Sequence, residues 1–264
     1  MQFLQKLATV ALDFPFRQIG DQRATKKCVQ SIPTTVYQTW ETKAFGRRHW
    51  HSINRFRNLN PDLDFLLYNR QERDSYMLKH WGDRKIYQIY TRALFGPLKA
   101  DIFRYCIIYS HGGYYFDISK GVNLSITSLH ASNVSGLLSF ENNPFDGEPG
   151  PDNVLLPKNL VIQWGFGFAP RHTILSRHIA SIEDNYEAFA GRVFESPKAA
   201  ILDFSGPRAF TRTVHLVARL ESMQGIAQLD VDFDSHGIYS MRGSGSRFFH
   251  FPSYAQEKNS PILI

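Results

Sequence analysis

Apolar residues change their spacing several times along the chain, and each change marks an expected element. Thr35-Val36-Tyr37-Gln38-Thr39-Trp40, after Ile32-Pro33, is rich in β-branched and aromatic residues and predicts a first strand. A basic helix is expected over 47–58, Asn60-Pro61-Asp62 turns the chain, and the short apolar run Phe65-Leu66-Leu67-Tyr68 predicts a strand buried on both faces. From Gly96 the period becomes helical through Leu98, Ile102, Tyr105, Cys106 and Tyr109, with Pro97 at the first position and Gly112-Gly113 as a stop. Phe103, Ile107 and Ile108 make the other faces apolar too, so this helix is expected to be largely buried. Asp101 and Arg104 stand three residues apart on one side of it, where charges need partners or a polar cavity.

Tyr114-Tyr115-Phe116 then reads as a compact strand ending at Asp117. Residues 162–168 predict another buried strand and 174–189 a helix, while Phe204-Ser205-Gly206-Pro207 ends a strand or loop and Pro207 opens a helix through Leu220. Glu141 to Lys158 holds four prolines and two glycines and is expected to be a long mobile loop, and 230–264 short strands and turns. Helix and strand in alternation predict a layered α/β fold. Its length fits one domain, 31–264, preceded by a basic segment over 1–30.

Composition narrows the classes. The two cysteines, Cys28 and Cys106, leave no disulfide framework or zinc-ligand spacing and favour a reducing compartment. The net charge of +6 is concentrated in residues 1–60, which hold ten Lys/Arg against three acidic residues. Such a segment either attracts anionic lipid or another polyanion or is a solvated surface; no nucleic-acid-binding module accompanies it. The start MQFLQKLATVALDFPF is too short and too interrupted to span a bilayer. Phe3, Leu4, Leu7, Ala11 and Phe14 at helical spacing fit either a surface-seeking helix or one packed on the domain. The expected location is cytoplasmic, peripheral at the inner face of the membrane.

The motif candidates are few. Asp230, Asp232 and Asp234 would share one face of a strand, but Ser235 and Met241 stand where a calcium loop needs Gly and Glu, so a solvated edge strand is expected. Neither a P-loop nor a serine nucleophile elbow occurs. Asp117, leaving a buried strand after a diglycine turn, either faces an α/β crevice and its ligand or caps a turn.

The stretch Ala100-Asp101-Ile102-Phe103-Arg104-Tyr105, then Ile108-Tyr109, then His111-Gly112-Gly113-Tyr114-Tyr115-Phe116-Asp117 resembles the sugar-nucleotide-binding block of glycosyltransferase family 32. Ile32 to Trp40 is similar to that family's opening strand, and Ser205-Gly206-Pro207 with Thr211 to its later Thr-Gly-Pro segment. The resemblance implies a single-domain, three-layer α/β/α Rossmann-like fold of the GT-A type. The implied reaction moves a hexose or N-acetylhexosamine, with retention, from a nucleotide sugar to a hydroxyl of a glycan or lipid-linked glycan, in cell-surface polysaccharide or glycolipid synthesis.

It also implies that Gln38, Thr39 and Trp40 border the nucleotide, that Asp101 and Arg104 bind ribose, phosphate or sugar hydroxyls, and that Gly112, Gly113 and Tyr114 belong to the donor-binding block. Gly206 and Pro207 would lie beside the donor or acceptor sugar. Asp117 would be the first carboxylate of a DXD-type motif, holding Mn²⁺ or Mg²⁺ with Ser119. His250, flanked by Phe249 and Phe251, either joins that set or is a packed core or edge residue, and Tyr254 is a weaker candidate beside it. The departure is Ser119, where the family has a second carboxylate and a hydroxyl is a poorer metal ligand. Lys120 either supplies the missing positive charge or points outward. That departure motivates one alternative to the enzyme, a catalytically silent sugar-nucleotide-binding partner of an active transferase.

Overall fold

The computed structural model describes residues 13–26, 29–251 and 253–264, so Cys28 and the apolar positions 3, 4, 7 and 11 lie outside it. The main sheet is built from β1 (Thr35–Thr39), β2 (Asp64–Tyr68), β3 (Gly113–Phe116), β4 (Gly136–Pro144), β5 (Asn159–Val161), β6 (Gly165–Phe168) and β7 (Ile226–Asp230). Its order is β2-β1-β3-β6-β4-β7, with β5 paired to β4. β1 runs parallel to β2 and β3, β7 runs parallel to β4, and β6 lies antiparallel between β3 and β4.

Alternation along the strands divides the core into two halves. Tyr37 and Tyr115 enter one apolar cluster, and Val36, Tyr114 and Phe116 enter the other. The first is covered by α2 (Arg70–Trp81), α3 (Lys85–Arg92), α4 (Gly96–His111), α5 (Thr173–Phe189), α6 (Pro197–Phe204) and α7 (Pro207–Leu220). The second is covered by α1 (Arg47–Asn58), which buries Ile53 and Phe56 against Phe65 and Phe116. This is the three-layer α/β/α arrangement expected from the sequence.

β6 needs its glycines because β3 is so aromatic. A Cβ at Gly167 would lie 2.5 Å from the Tyr114 ring and one at Gly165 2.8 Å from that of Phe116. Ile162 to Trp164 leave the sheet, so the expected strand over 162–168 is shorter and separate from β5. β2 is half-buried at Leu66 and Tyr68 rather than closed on both faces, because it is the edge strand. α2, α3 and α6 interrupt stretches in which no helix is expected; Phe204 ends α6 and not a strand.

Two surface expectations also change. The segment after β4 is a hairpin: the Phe145 N–H donates to the Lys158 carbonyl at 2.8 Å, the Gly150 N–H to Pro157 at 2.7 Å, and Phe145 and Val154 are buried. Its prolines stiffen a packed extension. Asp230 closes β7, and Asp232, Phe233 and Asp234 take left-handed backbone, so the three carboxylates do not alternate on an edge strand. Asp234 Oδ1 instead accepts the Asp230 N–H at 2.6 Å, closing a turn. At the other end of the described chain, Arg17–Gln18 pairs with Ala44–Phe45, stitching the early residues to the domain.

Buried neutral histidines give the fold an acid limit. His178 sits in the core with Nδ1 2.9 Å from Thr213 Oγ1, and burial pushes its pKa down to about 3; burial likewise holds His49 at about 4. The unfolded chain takes up these protons near 6.5, so the stability they contribute is complete above that pH and is lost as pH falls toward 4. Denaturant titration at pH 5 is expected to give about 2 kcal/mol less per histidine than at pH 7.5, with His49→Gln losing one increment fewer. Equal stability at the two pH values contradicts this.

Candidate active site

α4 runs under the sheet and carries Asp101 and Arg104 into the region where β3 ends. Arg104 Nη2 lies 3.0 Å from Asp101 Oδ1 and 3.1 Å from Asp117 Oδ1, and Nη1 donates to the Gln163 carbonyl at 2.9 Å. Its guanidinium stacks 4.5 Å from the Tyr115 ring centroid, and the Tyr115 hydroxyl donates to Asp117 Oδ1 at 3.0 Å. The charges that the periodicity placed inside a buried helix thus find their partners in one another and in the strand-end carboxylate.

The same geometry fixes their charge. Burial pushes the Asp101 carboxyl up to about 6, opposed by Arg104 and by the Ser205 hydroxyl, which donates to Asp101 Oδ2 at 2.9 Å. Burial works against the Arg104 cation as well, but Asp117, Tyr115 and Asp101 more than offset it and raise its pKa. Gln163 Nε2 donates to the Tyr105 hydroxyl at 2.6 Å, and that hydroxyl donates to the Ser205 carbonyl at 2.9 Å, so α4, the approach to β6 and the end of α6 are tied together.

These groups form one wall of a cavity of about 630 Å³ that Trp40, Arg73, Lys99, Arg247 and Tyr254 also line. That volume suits a drug-sized or cofactor-sized ligand. Within the cavity, Arg73 is neutralised by Glu41, Nη2 to Oε1 at 3.2 Å, and its Nε donates to the Tyr90 hydroxyl at 3.2 Å. Trp40, between Thr39 and Glu41 in the chain, meets Phe248 and Phe251 edge-on at 6.4 and 6.0 Å.

The structure brings together Thr39, Trp40, Asp101, Arg104, Asp117, Ser119 and Pro207 on the cavity wall. Gly206 caps α7 just behind it; a Cβ there would lie 2.6 Å from Leu202 Cα. Gln38 is fully buried beneath the wall, its amide without a partner among the described residues. Gly112, Gly113 and Tyr114 lie at the far end of β3, where the glycines take positive φ to end α4 and Tyr114 accepts a 2.8 Å hydrogen bond from Gln30 Nε2. His250 packs edge-on against Phe16 at 5.3 Å and does not line the cavity. Lys120 neither points freely outward nor lines the cavity: its Nζ stands 3.2 Å from the Tyr239 ring centroid.

Arg247, Gln163 and Arg73 are groups that sequence reasoning passes over, while Ser205 is named there only within the family resemblance and Tyr254 only as a weak candidate beside His250.

The residues present do not fit a divalent cation. His250 is turned away, Ser119 offers a hydroxyl, and Asp117 Oδ1 already accepts from Tyr115 and Arg104. Among the described residues no group of three or more His, Cys, Asp or Glu side chains is placed to hold a metal. Ser119→Asp is accordingly expected to create Mn²⁺ affinity, at least about tenfold above wild type, because a carboxylate is a far better ligand for a hard cation. Titration of both proteins with Mn²⁺ by calorimetry checks this, and unchanged binding means that side chain 119 faces elsewhere.

Residues 46–135 match the family model described as the glycosyltransferase sugar-binding region containing DXD motif. This segment is a sugar-binding region of the glycosyltransferase family 32 type. The sugar-binding region holds Asp101, Arg104, Asp117 and Ser119, and its motif reads Asp117-Ile118-Ser119 here. The chain is 24% identical over 193 residues to an initiation-specific alpha-1,6-mannosyltransferase of Schizosaccharomyces pombe, covering 69% of this chain and 48% of that protein. It is 25% identical over 206 residues to the Candida albicans protein of the same name, covering 69% and 52%. Inositol phosphoceramide mannosyltransferase 3 of Schizosaccharomyces pombe is 24% identical over 99 residues, covering 38% of this chain and 27% of its own. The chain thus spans about half the length of the first two relatives. Among solved structures, PaToxG glycosyltransferase aligns with a TM-score of 0.49 at 14% identity, over 81% of this chain and 76% of that one.

Proposed function

We propose that this chain is a retaining glycosyltransferase that moves a hexose or N-acetylhexosamine from a nucleotide sugar to a hydroxyl of a glycan or lipid-linked glycan. Mannose is the first donor sugar to try, from the names of the relatives. One observation carries the reading: the Asp101–Arg104–Asp117 cluster of the sugar-binding region walls a cavity large enough for a nucleotide sugar.

In that cavity Trp40 offers a ring to the base, and Asp117, one-third exposed, offers its carboxylate to ribose or sugar hydroxyls. Arg104 is saturated by two carboxylates and a carbonyl, so its part is to hold Asp117 in place. The acceptor oxygen bonds to the anomeric carbon on the face the diphosphate leaves. The bond from that carbon to the β-phosphate oxygen breaks with its electron pair on that oxygen, and the hydroxyl proton passes to the departing diphosphate.

The setting we infer is cell-surface polysaccharide or glycolipid synthesis at the cytoplasmic face of a membrane. The basic character of residues 1–60 supports it. No helix among the described residues is long and apolar enough to cross a membrane. Co-sedimentation with anionic but not neutral vesicles checks the location. For the activity, the protein is incubated with a panel of nucleotide sugars and glycan acceptors, and nucleoside diphosphate release is measured. Release that depends on acceptor is expected; binding without release for every pair would assign the silent-partner role instead.

A further inference from the structure

Resting on that reading, we propose that Arg247 is the cation that receives the donor's diphosphate, in the place a divalent metal takes where the DXD motif keeps its second carboxylate. Arg247 lies in a 3-10 turn, Ser244–Phe249, that closes the cavity beside Trp40. Its guanidinium carbon stands 5.3 Å from the Trp40 ring centroid and 4.3 Å from that of Phe248.

What separates it from the other arginines of the cavity is the state of its charge. Arg104 is paired with Asp101 and Asp117, Arg73 with Glu41, and Arg70 with Asp74. Arg247 has no carboxylate at ion-pair distance among the described residues. One Nη donates to the Ser244 carbonyl of its own turn, and its Nε is buried with no partner there. Burial lowers its pKa, and Asp117 opposes this from a distance. A half-buried, half-satisfied guanidinium with a buried Nε is costly to keep and gains most from an incoming anion. Among the described residues Lys99 also has no acid at ion-pair distance, but it stands over Tyr90 at 5.1 Å, within electrostatic reach of the carboxylates of Asp74 and Glu41.

The turn is held against the motif. The Met241 N–H donates to the Ser119 carbonyl at 2.8 Å, and His49 Nε2 lies 3.0 Å from the Ile118 carbonyl oxygen. Gly243 takes φ +80° where a Cβ would stand 2.7 Å from Arg48 Cβ and from the His49 nitrogen. α1 therefore braces both the Asp117-Ile118-Ser119 segment and the approach to Arg247. A guanidinium presents parallel N–H donors that match two phosphate oxygens. Trp40 beside it would carry the base, so the two side chains together recognise a nucleoside diphosphate.

The test is calorimetry in EDTA with UDP, GDP and ADP and the matching nucleosides, on wild type, Arg247→Gln and Arg247→Lys, each checked for an unchanged thermal unfolding curve. Among the described residues the Arg247 side chain hydrogen-bonds only within its own turn, so the variants are expected to fold. Wild type should bind one of the diphosphates in EDTA with no gain from Mn²⁺. Arg247→Gln should lose about ten- to a hundredfold in affinity for it while nucleoside affinity stays, and Arg247→Lys should fall between. Equal diphosphate affinity in Arg247→Gln and wild type, or wild-type binding that vanishes in EDTA and returns with Mn²⁺, overturns the inference and leaves the donor reading standing. Failure of wild type to bind any of the diphosphates, with or without Mn²⁺, overturns the donor reading and this inference with it.

Discussion

Arg104→Ala is expected to destabilise the fold by about 3–5 kcal/mol and to reduce turnover at least about a thousandfold. The two effects share one cause. Arg104 and Asp101 are both buried, and the arginine also holds Asp117 and the Gln163 carbonyl, so its removal strands a carboxylate in the core and releases the strand-end ligand. The stranded Asp101 retains the Ser205 hydroxyl and the Gln163 side chain, and its folded pKa, already about 6, rises further without its cation. A carboxyl whose folded pKa exceeds its unfolded value loses stability as pH rises through that interval. The damage in Arg104→Ala should therefore be smaller at pH 5 than at pH 8. Urea titrations at the two pH values read this directly. A variant as stable as wild type at pH 8 would mean that the cluster is not the buried unit described.

Asp117→Asn should separate catalysis from stability. The side chain is one-third exposed, and an amide oxygen in the place of Oδ1 can still accept from Tyr115 and Arg104. Arg104 keeps Asp101 and the hydrogen bond to position 117, so the expected loss of stability is about 1–2 kcal/mol, well below that of Arg104→Ala. Turnover should fall about a hundred- to a thousandfold, the scale of losing one preorganised electrostatic contact in a cavity of this kind. Nucleoside diphosphate release at saturating acceptor, with a denaturation curve on the same preparation, measures both. Full turnover would place the donor elsewhere.

The two substitutions probe the part of the site that was most legible in the sequence. Asp101 and Arg104 at i, i+3 inside a helix apolar on all faces had to find partners, and Asp117 at the end of the next strand was the nearest candidate. The family resemblance named the same three positions. It also named Gly112, Gly113 and Tyr114, which serve the α4–β3 turn at the opposite end of the strand. Four residues of strand span roughly 13 Å, so members of one motif need not meet one ligand.

What the pattern left hidden has physical causes. α2 begins at an Asn69 to Glu72 capping box, which was legible, but its weakly amphipathic surface gives no strong helical period. α6 is a single eight-residue helix capped by Ser196, too short for periodicity to separate it from a loop. Arg247 stands in an aperiodic tail of 3-10 turns, where a side chain's direction follows from Gly243 and from contacts with α1. The aromatic run beside it drew the reading to His250, which packs on Phe16 instead.

The central claim is that a nucleotide sugar lies between Trp40 and the Asp101–Arg104–Asp117 cluster. A crystal structure of the protein with a bound nucleoside diphosphate tests it most directly. The predicted result is density for the base against Trp40, with the diphosphate within hydrogen-bond reach of Arg247 and the ribose or sugar side toward Asp117. Nucleotide bound on any other face, with this cavity empty, would contradict it.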